Sequence, residues 1–269
     1  MSEHFKNKVV VVTGGTDGIG KALVDLLLSK GAKVATCGRQ HDKLYRLQSE
    51  YPSHPLHTFV ADVSNENDCR NFINSTLQAF GSIDVLINNA GISMRALLKD
   101  LSTEVLHKVM NVNFFGAVYC TKFALDAITA SKGSIVGVSS IAGYRGLPGR
   151  SGYSASKFAL QGWLEAIRTE LMASGVHVMW VCPGFTTSNI RNAALNADGA
   201  PQGESPLDEG SLMTAEECAV HILKAIENRK RTLVLTFTGK RTVFMNKFFP
   251  GWADKLVQKF FFKDGKLVK

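Results

Sequence analysis

Short segments rich in Val and Ile alternate with longer segments of helical periodicity along most of the chain. The short segments are largely apolar throughout, which is typical of strands that are buried on both faces of a sheet. Each longer segment can form a crossover helix, and right-handed crossovers place helices on both faces of a parallel sheet. The pattern therefore predicts an α/β fold with a doubly wound parallel sheet of seven strands, at residues 9–13, 33–37, 56–61, 83–88, 134–139, 176–182 and 232–236.

Glycine marks where two of the intervening helices are expected to end. Residues 18–30 and 68–80 have helical periodicity, and each is followed by a glycine, Gly31 or Gly81, where a left-handed cap is favourable. Residues 187–213 have little periodicity and contain the run Asn-Ala-Asp-Gly-Ala-Pro-Gln-Gly. A long irregular segment so late in the chain predicts a mobile lid over the substrate.

The composition is that of an ordinary globular protein with one large domain: 269 residues, 45% hydrophobic and 20% charged. The five cysteines are scattered, with no Cys-x-x-Cys pair and no ligand spacing with histidine, so neither disulfides nor a metal site is expected. The first residues do not resemble a signal peptide, and no apolar run approaches the ~18 residues of a membrane span. We therefore expect a cytoplasmic protein.

Positive charge is concentrated at the carboxyl end. The formal net charge is +8, and residues 240–269 contain eight Lys or Arg against two Asp, which gives +6. The rest of the chain is nearly neutral, so no nucleic-acid partner is expected. Aromatic residues alternate with these lysines, and Trp252, Leu256 and Phe260 share one helical stripe. We predict a catalytic domain at residues 1–239 and a basic aromatic tail at 240–269, which contacts a membrane peripherally or packs on protein.

A glycine-rich loop follows the first predicted strand and opens the first predicted helix. It reads Thr-Gly-Gly-Thr-Asp-Gly-Ile-Gly at residues 13–20. Glycines let the backbone turn tightly and approach a pyrophosphate, and the free amides and dipole of the helix start favour negative charge. With a strand before it and a helix after it, the loop predicts a nucleotide-binding site.

Several motifs in sequence order resemble the short-chain dehydrogenase/reductase family. The loop has the spacing Thr-Gly-x-x-x-Gly-Ile-Gly, and it is followed by Asn-Asn-Ala-Gly at residues 88–91, Tyr-Ser-Ala-Ser-Lys at 153–157 and Pro-Gly at 183–184. The resemblance implies a single-domain Rossmann fold and hydride transfer between a nicotinamide dinucleotide and a ketone or secondary alcohol. It also implies a homodimer or homotetramer.

The end of the second strand indicates which nicotinamide cofactor to expect. An NAD site usually has a carboxylate there, whereas this chain has Gly38, which leaves room for a 2′-phosphate, and Arg39, which can pair with it. We predict NADP(H), while Asp42 and Asp17 keep NAD(H) as the alternative. Together with Arg39, the cofactor-binding residues that the resemblance implies are Gly14, Thr16, Asp17, Gly18, Ile19, Gly20, Asp62, Val63, Asn89, Ala90, Gly91, Tyr153, Lys157, Pro183, Gly184, Thr186 and Ser188.

Tyr153 and Lys157 are four residues apart in a helical segment, so their side chains emerge on one face. A nearby ammonium is expected to lower the pKa of the phenol from about 10, which would let Tyr153 exchange a proton with the substrate oxygen near neutral pH. The resemblance implies three further roles. Lys157 would bind the nicotinamide ribose, Ser140 would hydrogen-bond the substrate oxygen, and Asn113 would hold a water in a proton route.

Residues 93–98, residues 141–149 and the lid are mostly apolar, which favours a hydrophobic substrate. The chain resembles family members that act on lipid or steroid ketones, including 3-ketosphinganine reductases. Arg145, Arg150 and Arg191 are interpreted as solvated loop charges, with recognition of an anionic group as the alternative. Three alternative functions stay open: a 3-oxoacyl thioester reductase, a non-catalytic dinucleotide-binding sensor and a membrane-docking protein.

Overall fold

A parallel sheet forms the centre of the protein. The structure is a computed structural model that describes residues 3–205, 210 and 212–268. Within these residues seven parallel strands pair in the order β3-β2-β1-β4-β5-β6-β7. Their bounds are Val9–Thr13 (β1), Lys33–Gly38 (β2), Leu56–Val60 (β3), Val85–Asn88 (β4), Ser134–Val138 (β5), His177–Cys182 (β6) and Thr232–Val234 (β7).

Helices cover both faces of this sheet. Their bounds are Gly18–Ser29 (α1), His41–Glu50 (α2), Glu66–Phe80 (α3), Thr103–Met110 (α4), Gly116–Ala130 (α5), Ser151–Glu170 (α6), Ala215–Glu227 (α7), Phe237–Phe248 (α8) and Pro250–Phe261 (α9). Side chains alternate between the faces along a strand. Accordingly, Val10 and Val12 of β1 are in one apolar core with residues of α1 and α7, whereas Val11 is in the other with residues of α3, α5 and α6.

The predicted α/β class and the seven-stranded parallel sheet with helices on both faces are confirmed. Each predicted strand lies within two residues of the observed bounds. Helix α3 begins earlier than predicted because the Asn65 side chain accepts hydrogen bonds from the backbone N–H groups of Asn67 and Asp68. It ends at Gly81, whose φ of 77° is the expected left-handed cap.

The strand order changes direction at β1, which pairs with β2 on one side and with β4 on the other. The connections that leave β1 and β4 therefore run to opposite sides of the sheet. Such a change opens a crevice beyond the carboxyl ends of the strands, where ligands of open α/β sheets bind.

The predicted lid, residues 187–213, is tied at several points to neighbouring loops. Its amino end pairs with its carboxyl end, since Thr186 and Met213 form a parallel bridge. Leu195 donates its N–H to the Ser93 carbonyl oxygen at 2.9 Å and accepts from the Arg95 N–H at 2.8 Å. Residues 206–209 and 211 of this segment lie outside the described part of the chain, and the lid function stays a prediction.

The carboxyl-terminal segment forms α8, α9 and a short antiparallel hairpin, with strands Phe262–Lys263 (β8) and Lys266–Leu267 (β9). The expected domain boundary between residues 239 and 240 lies inside α8. The basic residues that suggested this boundary therefore begin within a continuous helix. The division into domain and tail stays a prediction. None of the helices among the described residues is long and apolar enough to cross a membrane.

Candidate functional site

A cavity of about 830 Å³ lies along the carboxyl edge of the sheet. Residues that end or follow each of the seven strands contribute to its wall, from Gly14 after β1 to Thr236 after β7. Residues of α8 and α9 also line it. Loops from every strand, together with the carboxyl-terminal helices, thus enclose one site at the place that the strand order favours.

The glycine-rich loop forms one end of this cavity and is packed too closely at Gly14 and Gly20 to carry side chains there. A Cβ at Gly20 would collide with the Gly14 carbonyl oxygen, and one at Gly14, where φ is +70°, would lie 3.1 Å from Ala90 Cα. The Thr13 hydroxyl holds the loop against β4 by accepting the N–H groups of Asn89 and Ala90, both at 3.0 Å. The loop therefore presents main-chain surface at the start of α1, which suits a pyrophosphate.

Asp17 is the amino-terminal cap of α1. Its Oδ1 accepts the Gly18 N–H at 2.7 Å, and its Oδ2 lies 3.5 Å from the Lys43 ammonium. The carboxylate is therefore paired with a cation within the same rim of the cavity. Its charge opposes a phosphate there less than the sequence alone suggests.

The connection between β2 and α2, together with α2 itself, contributes two basic residues to the same end of the cavity. None of the acidic residues described in this segment lines it. Arg39 and Lys43 line it, whereas Asp42 does not. Gly38 lies close to Thr16, since a Cβ on it would be 3.3 Å from Thr16 Cγ2. The carboxylate that could bind an unphosphorylated ribose therefore does not contribute to the cavity wall, whereas two cations do.

Asp62 and Val63 line the cavity after β3. One carboxylate oxygen of Asp62, Oδ1, accepts the backbone N–H and the hydroxyl of Ser64 at 2.9 and 2.7 Å. This turn fixes the orientation of the carboxylate. Asn89, by contrast, points its amide at the backbone carbonyl oxygens of Thr13 and Gly14, so it supports the glycine-rich loop.

Tyr153 and Lys157 both extend from α6 into the middle of the cavity. The Lys157 ammonium lies 5.7 Å from the centre of the Tyr153 ring and donates to the Val138 carbonyl oxygen at 2.9 Å. Only 4% of Lys157 is exposed, and this burial lowers the pKa of Lys157 to about 8. The spacing predicted from sequence thus places both groups on one face.

The pKa of Tyr153 is not lowered in this structure, so the expected acidification of the phenol by Lys157 is not observed. Burial raises the pKa of Tyr153 above its ordinary value, because it disfavours the phenolate. A side-chain hydrogen bond with Ser140 and the charges of Arg150 and Arg191 lower the pKa of Tyr153, but they do not outweigh burial. The groups that favour the phenolate in this structure are thus a serine and two arginines.

Ser140 and Asn113 support this centre in different ways. Ser140 lines the cavity, and its hydroxyl accepts the Ala142 N–H at 3.2 Å. Asn113 lies in a π-helical turn at residues 111–115 and is buried. Its amide pairs with the backbone N–H and carbonyl oxygen of Ile92 at 2.8 and 2.9 Å and donates to Ser156 at 2.9 Å. The structure places Asn113 behind the cavity wall, and its role in holding a water stays a prediction.

The other end of the cavity combines arginines with apolar side chains. Arg145, Arg150 and Arg191 line it, as do Met245 of α8 and Leu256 of α9. Arg191 is buried, so its interpretation as a solvated loop charge is wrong; the folding of residues 185–193 over the cavity removes it from water. Arg150 is partly buried and Arg145 is paired, so neither is a freely solvated charge.

Arg145 connects the loop after β5 to the carboxyl-terminal helices. Its guanidinium donates to Asn246 Oδ1 of α8 at 3.0 Å and to Asp254 Oδ1 of α9 at 2.6 Å. Asn246 in turn donates to the Tyr144 carbonyl oxygen at 2.8 Å. These bonds hold α8 and α9 against the cavity, so the carboxyl-terminal segment is part of the site.

Comparisons with known proteins agree with this geometry. Residues 8–198 match the short chain dehydrogenase family. Over 256 residues the chain is 34% identical to "Dehydrogenase/reductase SDR family member 7B" of Mus musculus, covering 92% of this chain and 79% of that protein. It is 32% identical over 251 residues to "Dehydrogenase/reductase SDR family protein 7-like" of Anopheles gambiae, covering 90% and 79%.

The chain belongs to the short-chain dehydrogenase/reductase family, a family of oxidoreductases. Among solved structures, its fold is similar to a short chain dehydrogenase/reductase from Burkholderia phymatum in complex with NAD, with a TM-score of 0.82, 23% identity and coverage of 92% and 95%. It is also similar to an alcohol dehydrogenase from Thermococcus sibiricus complexed with 5-hydroxy-NADP, with a TM-score of 0.76, 24% identity and coverage of 86% and 96%. The narrower likeness to 3-ketosphinganine reductases is not confirmed.

In this short-chain dehydrogenase/reductase, the cavity brings together the predicted site residues with one exception. All the predicted cofactor-binding residues line it, as do Ser140, Tyr153 and Lys157, whereas Asn113 does not. Which ligand atoms these residues contact stays a prediction.

Sequence reasoning missed Lys43, Gln161 and the cavity-lining residues of the carboxyl-terminal helices. Lys43 could have been found, because it follows Arg39 by one helical turn. Gln161 is buried and donates to Ser139 Oγ at 2.8 Å beneath the site, and no motif indicates it. The stripe of Trp252, Leu256 and Phe260 left contact with a membrane and packing on protein both open, because periodicity alone does not show which neighbour a face meets. In the structure, Leu256 and Phe260 line the cavity.

Proposed function

We propose that the protein is an NADP(H)-dependent reductase of a hydrophobic or lipid-like ketone, acting in reverse on the secondary alcohol. The observation that carries this is the position of Tyr153, Lys157 and Ser140 between a phosphate cradle and an apolar wall within one cavity. The solved relatives in complex with NAD and with 5-hydroxy-NADP support a nicotinamide dinucleotide at the cradle.

The residues present fit such a cofactor, since the close packing at Gly14 and Gly20 leaves main chain exposed to the cavity at the start of α1. A bound nicotinamide would supply or accept hydride. Tyr153 would hold a proton at Oη and deliver it to the substrate oxygen, and Ser140 would donate a hydrogen bond to the same oxygen. Lys157 would place positive charge beside this phenol and bind the ribose.

The test is Tyr153→Phe, which removes the proton donor but keeps the ring. We expect NADPH oxidation with a panel of hydrophobic ketones to fall by about 10² or more, while NADPH binding, followed by its fluorescence, persists. Tyr45→Phe, on the exposed surface of α2, is the matched control. Unchanged turnover in Tyr153→Phe would refute the assigned chemistry. A wild type that binds NADPH but oxidises it with none of the ketones would favour a non-catalytic dinucleotide sensor.

Preference for NADP(H) over NAD(H) is supported by Arg39 and Lys43, which line the cavity while Asp42 does not. An arginine and a lysine at this position provide charge-assisted hydrogen bonds to a 2′-phosphate. We expect kcat/KM to be higher with NADPH than with NADH. The double variant Arg39→Ala with Lys43→Ala should lower the ratio of kcat/KM for NADPH to kcat/KM for NADH. Equal use of both cofactors by the wild type would overturn the preference.

Peripheral membrane contact is supported by the surface of α8 and α9. Trp252 is 71% exposed, and Phe244 and Phe248 are exposed on α8. Lys240, Lys247, Lys255 and Lys259 surround them and are also exposed, which suits an anionic bilayer surface. The protein would then act at a membrane surface from the cytoplasm.

Flotation with vesicles tests this contact. Surface substitutions are used instead of a truncation, because α8 and α9 also line the cavity. Wild-type protein should bind vesicles that contain an anionic phospholipid and bind poorly to purely zwitterionic vesicles. Phe244→Ser with Trp252→Ser should lose binding, whereas the control Tyr45→Ser should keep it. Retained binding by the double variant would show that this surface is not the contact.

A homodimer or homotetramer is supported by exposed aromatic residues next to α5 and on α6. Phe115 and Phe158 are exposed, and Phe115 stacks on Tyr119 with ring centres 6.1 Å apart. Burial of such residues between subunits would be favourable. Light scattering after size exclusion should give an oligomer for the wild type and for Phe158→Leu, but a smaller species for Phe158→Asp.

A further inference from the structure

Two arginines line the cavity near the reacting tyrosine, and a third lies close to one of them. Arg150 comes immediately before α6 and three residues before Tyr153, and Arg191 lies in the segment after β6. Both line the cavity. Arg95 lies in the loop after β4, close enough for its charge to act on Arg150. Cations from two separate segments therefore lie near the group that exchanges the proton, since the charges of Arg150 and Arg191 both act on Tyr153. Arg95 does not line the cavity and is paired with Glu204 at 3.4 Å.

These guanidinium groups include buried donors that the described residues leave unsatisfied. Arg150 Nε and Arg95 Nη1 are inaccessible to water and have no hydrogen-bond partner in the described part of the chain. Arg191 is only 7% exposed and donates to the Thr186 carbonyl oxygen at 2.8 Å. Arg150 as a whole is only partly buried and lines the cavity, so an acceptor that enters the cavity can reach its side chain.

The distribution of charge in the cavity selects an anion as that acceptor. The acidic residues among its described lining are Asp17 and Asp62, which belong to the glycine-rich loop and to the segment after β3. The end near Tyr153 has Arg150 and Arg191 with no carboxylate among its described lining residues. Burial and the charges of Arg191 and Arg95 lower the pKa of Arg150, which is the cost of keeping these cations together.

We propose that the substrate carries an anionic group, a carboxylate or a phosphate ester, that is bound by Arg150 and Arg191. The planar guanidinium fork matches the oxygens of either group. The proposal rests on the proposed function, because it takes the ketone to lie at Tyr153. The anion would lie within about one helical turn of that ketone. The apolar part of the substrate would contact Met245, Leu256 and Val257.

Binding of three matched eight-carbon probes tests this without turnover. Octanoate, octyl phosphate and octanol are titrated by calorimetry into the wild-type protein saturated with NADP⁺. We expect at least one of the two anions to bind about tenfold or more tightly than octanol, with a preference that weakens as salt is added. The better of the two anions shows whether the natural group is a carboxylate or a phosphate.

Substitution of Arg150 locates the preference. Arg150→Met should reduce the ratio of octanol to anion dissociation constants to near one, and Arg150→Lys should restore part of it. Arg70→Met is the matched control, since Arg70 is an exposed arginine on α3 that does not line the cavity, and it should keep the wild-type ratio. NADPH affinity is measured for every variant.

The outcomes separate this inference from the proposed function. If the wild type binds NADPH and reduces neutral ketones but binds octanol as tightly as both anions, the inference is wrong and the proposed function stands. The inference is also overturned if Arg150→Met and Arg150→Lys keep the preference, or if Arg150→Met weakens NADPH binding instead. A wild type that binds no nicotinamide dinucleotide overturns the proposed function itself.

Discussion

The cofactor end of the cavity is built by loops that directly follow β1, β2, β3 and β4, whereas its substrate end joins the loop after β5, the segment after β6 and helices α8 and α9. At the first end the backbone itself forms the surface, because Gly14 and Gly20 approach Ala90 and Asn89. At the second end side chains do so, held in part by Arg145. A substitution should therefore act on one end and spare the other.

Lys157 lies where the two ends meet. Its burial is expected to have the largest effect of the substitutions below, on the pH dependence of the unfolding free energy. Its folded pKa of about 8 is below the ordinary 10.5, so between these values the unfolded chain binds more protons and stability rises with pH. Below about pH 8 the buried ammonium costs its full penalty. From about pH 7 to about pH 10 the wild type should gain on the order of 2–3 kcal/mol of unfolding free energy relative to Lys157→Met.

Urea denaturation at both pH values measures this difference, and subtraction of the variant removes the contribution of other groups. Lys122→Met, at an exposed position of α5, is the control and should follow the wild type. A wild type that gains nothing over Lys157→Met would show that Lys157 is not held as a buried cation.

Gly20→Ala should weaken cofactor binding and leave ketone binding nearly unchanged. Its Cβ would collide with the Gly14 carbonyl oxygen and lie 2.5 Å from Asn89 Nδ2, so the loop must shift. We expect the Kd for NADPH to rise by at least about tenfold, which is about 1.4 kcal/mol. The KM for the ketone at saturating NADPH should change less. Unchanged NADPH affinity would contradict the cradle as the phosphate site.

Arg145→Met should weaken ketone binding and leave cofactor binding nearly unchanged. It removes the hydrogen bonds to Asn246 and Asp254 that hold α8 and α9 against the cavity. Because Asp254 is largely exposed and such bonds contribute about 1 kcal/mol, the KM for a hydrophobic ketone should rise about fivefold. NADPH affinity should stay within about twofold. An equal loss in both measurements would mean that the two ends are coupled.

Gly251→Ala should have the smallest effect, a slight increase in the unfolding free energy. Unlike Gly20→Ala, it places a Cβ where there is free space. A Cβ at Gly251 in α9 would have no atom within 4 Å, and alanine favours the helix. We expect the unfolding free energy to rise by up to about 1 kcal/mol with no change in NADPH affinity. Destabilisation would indicate that α9 begins differently from the structure described.

Sequence predicted the site best where its geometry is local. Tyr153 and Lys157 share a helix face because of their spacing, and Gly14 to Gly20 form a tight loop because of their residue type. Arg191 was misjudged, because its own segment gives no sign that residues 185–193 fold over the cavity. Gln161 had no signal at all, since a glutamine in a helix is ordinarily exposed.

The amino-acid sequence by itself determined the parallel sheet, the glycine-rich loop and the residues that meet at the carboxyl ends of the strands. Periodicity, turn chemistry and spacing act over a few residues, so they can be interpreted directly. The tertiary structure decided that α8 and α9 line the cavity, that Arg191 is buried near Tyr153, and that the pKa of Tyr153 is raised. Burial and charge depend on which distant segments pack together, and only the folded chain specifies that.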